Sequence, residues 1–212
     1  AHELRTPLTS LRAGLEEIRD GLLAPDPVVV SRLHDQTLRL GRIVDDLAAL
    51  SAVEGGALRL QRRPVDLAHL ARTQAAIEEP RIRASDMELR IDVPEGPVTV
   101  MGDADRLGQV VSNLLSNAAR YCRAGDTVTV EVAATDSQAR LVVSDTGPGI
   151  FEDDLPHVFD PYYTTRRSGT GLGLPIAKNI IEGLGGTISV TSQPAKGTDV
   201  RIDLPVRAVT PA

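Results

Sequence analysis

The sequence is poor in the residue types that mark several classes of protein. Only 2% of its 212 residues are aromatic and tryptophan is absent, so leucine, valine, isoleucine and alanine must form the core. A single cysteine, Cys122, excludes an internal disulfide and a zinc site with several cysteine ligands. No run approaches the roughly 18 consecutive apolar residues of a membrane-spanning helix. These absences indicate a globular chain with an aliphatic core.

The charge balance excludes a further class. The chain carries 29 acidic and 23 basic residues, a formal net charge of −6, which argues against a general nucleic-acid binder and suits a soluble surface. A helical pattern is already under way at Ala1. We therefore expect the chain to be a piece of a longer protein.

Residues 1–55 carry the pattern of a helical hairpin. Apolar residues at alternating spacings of four and three define its first seam: Leu4, Leu8, Leu11, Leu15, Ile18 and Leu22. Gly21 and the Pro-Asp-Pro run at 25–27 break this helix, and Leu33, Leu40 and Leu47 follow at intervals of seven in a second one. Two such helices cannot enclose a core alone. We therefore expect two copies to form a four-helix bundle in a homodimer.

After a linker at 56–64, the pattern changes to alternating strands and helices. Alternation of apolar and polar residues predicts strands at 87–93, 128–132, 141–144, 188–191 and 200–204. Helical patterns cover 67–78, 103–121 and 174–184. The fold class is therefore α+β, with helices on one face of a sheet. We assign residues 65–207 to this domain and 208–212 to a tail.

A histidine lies at the start of the first helix. If the leucines face inward, His2 and Thr6 share the outward face one turn apart, and Glu3 is adjacent. A neutral imidazole is a competent nucleophile near neutral pH, and a carboxylate can hold its other ring N–H. A lone exposed histidine is most often an ordinary surface residue. Pro7, a residue type that costs about 3 kcal/mol inside a helix, favours a functional interpretation.

The predicted helix at 103–121 carries a polar stripe. Asn113, Asn117 and Arg120 follow one another at i, i+4 and i+7. Amide oxygens can bind Mg²⁺, and a nearby arginine can bind phosphate. A solvated helix face is the simpler interpretation of these residues alone. Asparagine, however, is a poor helix former, and a purely solvated face more often uses Glu, Lys or Gln.

Two glycine-rich segments complete the unusual features. Asp145 follows a predicted strand and precedes Gly147 and Gly149, so its carboxylate can accept a hydrogen bond from a purine amino group while the glycines let the backbone approach the base. A turn without a ligand is equally compatible. Residues 168–174 carry glycine at alternate positions before a helix, an arrangement suited to phosphate. No Gly-Lys-Ser/Thr follows, which excludes a Walker A loop.

Together and in this order, these blocks resemble the sensor histidine kinases of bacterial two-component systems. Residues 2–8 are similar to the histidine box, and 109–121 to the asparagine box. Residues 145–150 and 169–174 are similar to the two glycine boxes, with Phe159 as the phenylalanine box between them. Each motif alone is modest, but four in the right order are specific, and they cover nearly the whole chain.

The resemblance implies a fold and an activity. It implies a dimerisation and phosphotransfer hairpin, then a two-layer α/β sandwich that binds ATP, of the gyrase, Hsp90, histidine kinase and MutL type. The activity is an ATP-dependent histidine autokinase that phosphorylates His2, with Glu3 as its base, and passes the phosphoryl group to an aspartate of a response regulator receiver domain. Thr6 resembles the residue that helps to dephosphorylate that partner.

The resemblance also implies a nucleotide and metal site. Asn117 and Asn113 would hold Mg²⁺, Arg120 would bind phosphate, and Tyr121 would stack on adenine. Asp145 would bind the adenine amino group. The other residues implied to bind ATP are Gly147, Gly149, Ile150, Gly169, Thr170, Gly171, Leu172, Gly173 and Thr198.

For the cellular setting, the resemblance implies the cytoplasmic portion of an inner-membrane sensor. Membrane attachment would come only through upstream segments, and nucleic acid is no partner. Two alternatives remain: a response-regulator phosphatase, and an ATP-gated dimerisation module without histidine transfer, which the His2–Glu3 pair disfavours. The chain departs from the family in a short stretch between Phe159 and Gly169, and in Val200, where an aromatic residue is usual. We expect Val200 to change packing only.

Overall fold

A computed structural model of the chain describes residues 2–31, 33–34, 36–37, 60–165 and 170–206, with only the backbone for 2–7. The internal contacts divide the chain into two compact units, 1–57 and 58–212, and each is described by itself.

The first unit begins with helix α1, His2–Arg19, which includes Pro7. A Schellman motif ends it: Leu22 N–H donates to the Glu17 carbonyl at 2.9 Å, and Gly21 adopts a φ of 74°. A second helical segment starts at 27, where the Asp26 carboxylate accepts the Val29 N–H at 2.8 Å. The predicted break is confirmed.

The prediction that Leu22 extends the helical seam is wrong. Leu22 lies beyond the Schellman turn and is 80% exposed. The glycine at position 21 ends the helix before the apolar period does, because glycine adopts the left-handed conformation at little cost.

The two helical segments of this unit pack through a small residue. Gly14 is buried, and a Cβ atom placed on it would lie 2.8 Å from Cδ2 of Leu33. Leu8 and Leu15 remain 53% and 52% exposed, so the seam of α1 keeps an uncovered apolar face. Leu40 and Leu47 lie outside the described residues. The four-helix bundle stays a prediction. A second copy of the chain would cover this exposed apolar face.

The second unit contains seven strands and three helices in the described part of the chain. The strands are β1 Arg63–Asp66, β2 Glu88–Asp92, β3 Thr99–Gly102, β4 Thr127–Ala134, β5 Gln138–Asp145, β6 Thr187–Gln193 and β7 Gly197–Pro205. The helices are α2 Leu67–Arg83, α3 Ala104–Tyr121 and α4 Gly173–Gly183, with a 3₁₀ turn at Leu155–His157.

The main sheet has five strands in the order β2-β4-β5-β7-β6, and β1 pairs with β3 in a separate two-stranded sheet. β2 runs parallel to β4, and the other pairs are antiparallel. β5 is central, and its last register pair joins Asp145 to Thr198 of β7. This pairing places the predicted base-binding aspartate beside the late threonine.

The three helices pack on one face of the main sheet. Inward residues of β5 and β7 alternate with outward polar ones: Ala139, Leu141, Val143, Val200, Ile202 and Leu204 are all buried. The opposing face of α3 is equally apolar, with Leu107, Val110, Val111, Leu114, Leu115 and Ala118 buried. Outward-facing polar groups include Asp203, which pairs with Arg140 and Arg201 at 2.7 Å each.

This arrangement confirms the predicted α+β sandwich, with all five predicted strands and all three predicted helices of this unit present. Val200 is buried between its register partners Val143 and Val190, as expected of a change in packing. Sequence reasoning missed the pairing of β1 with β3. Within the described residues, no helix is both long and apolar enough to cross a bilayer.

The packing of α3 yields a stability prediction. Leu115 is fully buried against the sheet, so Leu115→Ala should lower the free energy of unfolding by about 2–5 kcal/mol. Ile77 is 63% exposed on α2, and Ile77→Ala should change it by less than about 0.5 kcal/mol. Urea denaturation followed by circular dichroism measures both, and equal losses would contradict this core.

Candidate functional site: the glycine segments and the asparagine helix

Asp145 lies at the inward-facing end of β5. It continues the alternation of Ala139, Leu141 and Val143, so its side chain belongs to the helix-covered face. Its Oδ1 accepts the Gly147 N–H at 2.9 Å. Burial raises the pKa of Asp145, while hydrogen bonds from Gly147 and Cys122 act in the opposite direction. The result is a half-buried carboxyl group whose Oδ1 accepts hydrogen bonds at the end of β5.

Gly147 packs directly against this carboxylate. A Cβ atom at Gly147 would lie 2.8 Å from Sγ of Cys122 and 2.9 Å from Oδ1 of Asp145, so a larger residue would displace both groups. Burial, reinforced by the Asp145 charge, raises the pKa of Cys122 to about 12. The thiol therefore stays protonated and donates its hydrogen bond to Asp145.

The turn between β6 and β7 approaches the first glycine segment too closely for side chains. Gly149 has a φ of 68°, and a Cβ atom there would overlap the carbonyl oxygen of Gln193. Gly197 has a φ of 96°, and its Cβ would overlap the carbonyl oxygen of Asp145. The Ala195 N–H also donates to the Pro148 carbonyl at 2.7 Å. Only glycine satisfies both positions.

Ser192 of β6 joins the same segments through its hydroxyl group. Its Oγ accepts the Ile150 N–H at 2.8 Å, donates to the Gly197 carbonyl at 2.7 Å, and lies 3.0 Å from Oγ1 of Thr198. The first glycine segment and Thr198 are therefore held in one hydrogen-bonded unit.

The polar stripe of α3 meets the start of α4. Nδ2 of Asn113 donates to the Gly173 carbonyl at 3.4 Å, and a Cβ atom at Gly173 would lie 3.7 Å from Nδ2 of Asn117. Both asparagines are half-buried. The predicted metal-binding stripe and the second glycine segment therefore form one local site, at the N-terminal end of a helix, where anions are favoured.

The second glycine segment is held by a neighbouring loop. Gly171 has a φ of 65°, and its carbonyl accepts the Tyr162 N–H at 3.0 Å. Oγ1 of Thr170 accepts the Leu172 N–H at 3.4 Å. The Leu172 side chain is 2% exposed and packs in the core. Gly169, with the rest of 166–169, lies outside the described residues.

The donor set at this site fits Mg²⁺. The described part of the chain has no cluster of three or more His, Cys, Asp or Glu suited to a metal. Magnesium commonly keeps several waters and binds through one or two protein oxygens together with substrate phosphates. Two amide groups one helical turn apart, beside a helix N-terminus, are compatible with that mode.

The structure gathers most of the predicted site residues in the second unit. Arg120 and Tyr121 end α3 and are half-buried. His2, Glu3 and Thr6 lie on α1 in the first unit, where the description covers the backbone alone.

Sequence reasoning missed two residues, Ser192 and Cys122. Ser192 lies on the same face of β6 as Ile188 and Val190. A polar residue among apolar ones on that face could have indicated its role. Cys122 directly follows the last residue of α3, and its link to Asp145 is non-local.

Comparisons with known proteins identify the family of this chain. Residues 102–208 match the family model described as "Histidine kinase-, DNA gyrase B-, and HSP90-like ATPase". Residues 1–56 match the "His Kinase A (phospho-acceptor) domain". The chain therefore belongs to the histidine kinase family, as its motifs predicted.

Individual relatives support the assignment. The signal transduction histidine-protein kinase BaeS of Escherichia coli K12 is 37% identical over 212 residues, which are 97% of this chain and 45% of BaeS. The solved histidine kinase AdeS of Acinetobacter baumannii is 33% identical, with a TM-score of 0.79 over 98% of both chains. Full-length ShkA in complex with AMPPNP is 25% identical, with a TM-score of 0.74 over 100% of this chain and 46% of ShkA. The chain thus spans less than half the length of BaeS.

The burial of Asp145 gives a pH-dependent prediction. Because its pKa is raised in the folded state, the carboxylate lowers stability as pH rises above the ordinary aspartate value of about 3.9. Asp145→Asn should therefore unfold at a higher temperature than wild type at pH 7, and the advantage should shrink as pH falls. Thermal unfolding at several pH values measures this. A stabilisation that grows with acidity would contradict the assigned pKa direction.

Proposed function

We propose that this chain is the phosphoacceptor and catalytic portion of an ATP-dependent histidine autokinase. In this proposal ATP and Mg²⁺ bind in the second unit, the γ-phosphoryl group passes to His2, and an aspartate of a response regulator receiver domain then accepts it. One observation carries the proposal. The second unit contains the Asp145 carboxylate, two glycine segments and the pair of asparagines on α3, and the first unit matches a phosphoacceptor domain.

The base side of the pocket follows from hydrogen-bond chemistry. The Asp145 carboxylate would accept a hydrogen bond from the exocyclic amino group of adenine. Gly147 and Gly149 would shape the base pocket, because their lack of a Cβ atom lets the Asp145 carboxylate and the Gln193 carbonyl pack against their backbone. Tyr121 would stack on the ring, and Thr198 and Ile150 would complete the pocket wall beside the turn. ShkA, whose solved complex contains the ATP analogue AMPPNP, supports a nucleotide at this site.

The phosphate side follows from the charges and dipoles near α4. Amide oxygens of Asn113 and Asn117 would hold Mg²⁺, which neutralises charge on the phosphates when bound. Arg120 would bind a phosphate group, and backbone N–H groups at the start of α4 would bind another. The half-buried position of both asparagines beside Gly173 supports these roles.

The transfer step balances simply. A ring nitrogen lone pair of His2 forms a bond to the γ-phosphorus, and the bond from that phosphorus to the bridging oxygen breaks, so that ADP leaves. Glu3 would hold the other ring N–H and so orient the imidazole. Catalysis of this kind rests on positioning and charge neutralisation more than on covalent assistance.

The proposal includes an assembly and a setting. Residues 1–55 would pair with a second copy of the chain, residues 65–207 would form the catalytic domain, and Thr6 would assist dephosphorylation of the regulator. The uncovered apolar face at Leu8 and Leu15 supports the homodimer. We place the chain in the cytoplasmic portion of an inner-membrane sensor, as its family resemblance implies.

A radiolabel experiment tests the autokinase proposal. With [γ-³²P]ATP, wild type should acquire acid-labile label, while His2→Gln should lose essentially all of it and still bind ATP. His34→Gln provides a matched control, because His34 lies in the second helical segment of the same unit and should keep its label. Label retained in His2→Gln would contradict the assigned phosphoacceptor. ATP binding without label in wild type would favour the dimerisation module.

A second experiment tests the metal assignment. Asn117→Ala should weaken Mg²⁺-dependent ATP binding by at least roughly tenfold, because one amide oxygen ligand is lost. The control Asn179→Ala changes a half-buried asparagine of α4 and should behave as wild type. Titration calorimetry with and without Mg²⁺ measures both. An equal loss with and without the metal would overturn the role of Asn117 as a ligand.

A further inference from the structure

The hydroxyl group of Ser192 has three polar neighbours with fixed roles. The Ile150 N–H can only donate, and the Gly197 carbonyl can only accept; they lie 2.8 Å and 2.7 Å from Oγ. The third neighbour is the Thr198 hydroxyl at 3.0 Å, where either oxygen could be the donor on distance alone. Counting protons resolves the direction of this last hydrogen bond.

A hydroxyl group has one proton and two acceptor lone pairs. The Ser192 proton is committed to the Gly197 carbonyl, because that oxygen has no proton to share. The bond between the two hydroxyls must therefore be donated by Thr198 and accepted by Ser192. Thr198 consequently has only lone pairs left for any other partner.

This fixed proton changes what the pocket can recognise. Thr198 is the register partner of Asp145, and both side chains belong to the helix-covered face of the sheet. The pocket therefore presents two acceptors, a carboxylate and a hydroxyl oxygen without an available proton. A purine with an amino group at C6 supplies donors to such a surface. A purine with a C6 oxygen brings a third acceptor and leaves it unpaired, which is penalised in a buried site.

We propose that Ser192 is a specificity-determining positioning residue: by holding the Thr198 proton, it makes the pocket select 6-aminopurine over 6-oxopurine nucleotides. Ser192 itself acts through Thr198 and touches no base. The inference rests on the proposed nucleotide site and extends it. Without Ser192, the Thr198 hydroxyl can rotate and donate a hydrogen bond to a C6 oxygen.

Binding of ATP and of inosine triphosphate, each with Mg²⁺, tests the inference by titration calorimetry on the whole chain. Wild type should prefer ATP by at least roughly 100-fold. Ser192→Ala should lower this preference by about tenfold or more, mainly through better relative binding of the inosine nucleotide. The conservative variant Ser192→Thr keeps a hydroxyl group and should keep the preference for ATP. Ser189→Ala, on the exposed face of β6, should leave it unchanged.

The outcomes separate the possible failures. If Ser192→Ala weakens the binding of both nucleotides equally, or leaves both affinities unchanged, the ratio of the two affinities stays the same. Either result would overturn the inference. If wild type binds neither nucleotide, the proposed function itself fails. If Ser192→Ala does not fold, Ser192→Cys keeps a side chain of similar size but accepts hydrogen bonds only weakly, so it should release the Thr198 proton and lower the preference. A preserved preference in Ser192→Cys would then contradict the inference.

Discussion

The close approach of the β6–β7 turn to the first glycine segment is the constraint on which the site depends. Gly149 faces the Gln193 carbonyl and Gly197 faces the Asp145 carbonyl, at separations that admit no Cβ atom. Ser192 then ties both segments through one hydroxyl group. Because of this contact, Asp145 and Thr198 lie side by side at the end of two central strands. The position of these two hydrogen-bond acceptors, Asp145 and Thr198, therefore depends on backbone packing as well as on side-chain identity.

The site also illustrates the cost of placing polar groups at the edge of an aliphatic core. The sheet and helices supply a dry interior, and Asp145 sits at its margin, where burial raises its pKa. Hydrogen bonds from the backbone N–H groups of Gly147 and Thr198 and from the Cys122 thiol offset part of that cost. The half-buried asparagines of α3 flank its apolar face and meet Gly173. A single helix therefore packs the core with one face and contributes to the site with another.

Much of this arrangement could be predicted from local sequence. The alternation in 141–144 and 200–204 identified the central strands, and the i, i+4 spacing of Asn113 and Asn117 identified the polar face of α3. Periodicity alone placed Leu22 in a helix, but the Schellman turn at Gly21 ended that helix earlier. Ser192 and Cys122 were missed because their partners are distant in the sequence. Strand register, which local patterns do not encode, brings Ser192 to Ile150 and Thr198.

We propose that the second unit binds ATP between the first glycine segment, Thr198 and the asparagines of α3. The most direct test is titration of the isotopically labelled chain with a non-hydrolysable ATP analogue and Mg²⁺, followed by nuclear magnetic resonance. We expect the largest changes in amide chemical shift at Gly147, Gly149, Thr198 and Asn117. Saturable binding that leaves these amides unchanged and shifts a different surface would contradict it.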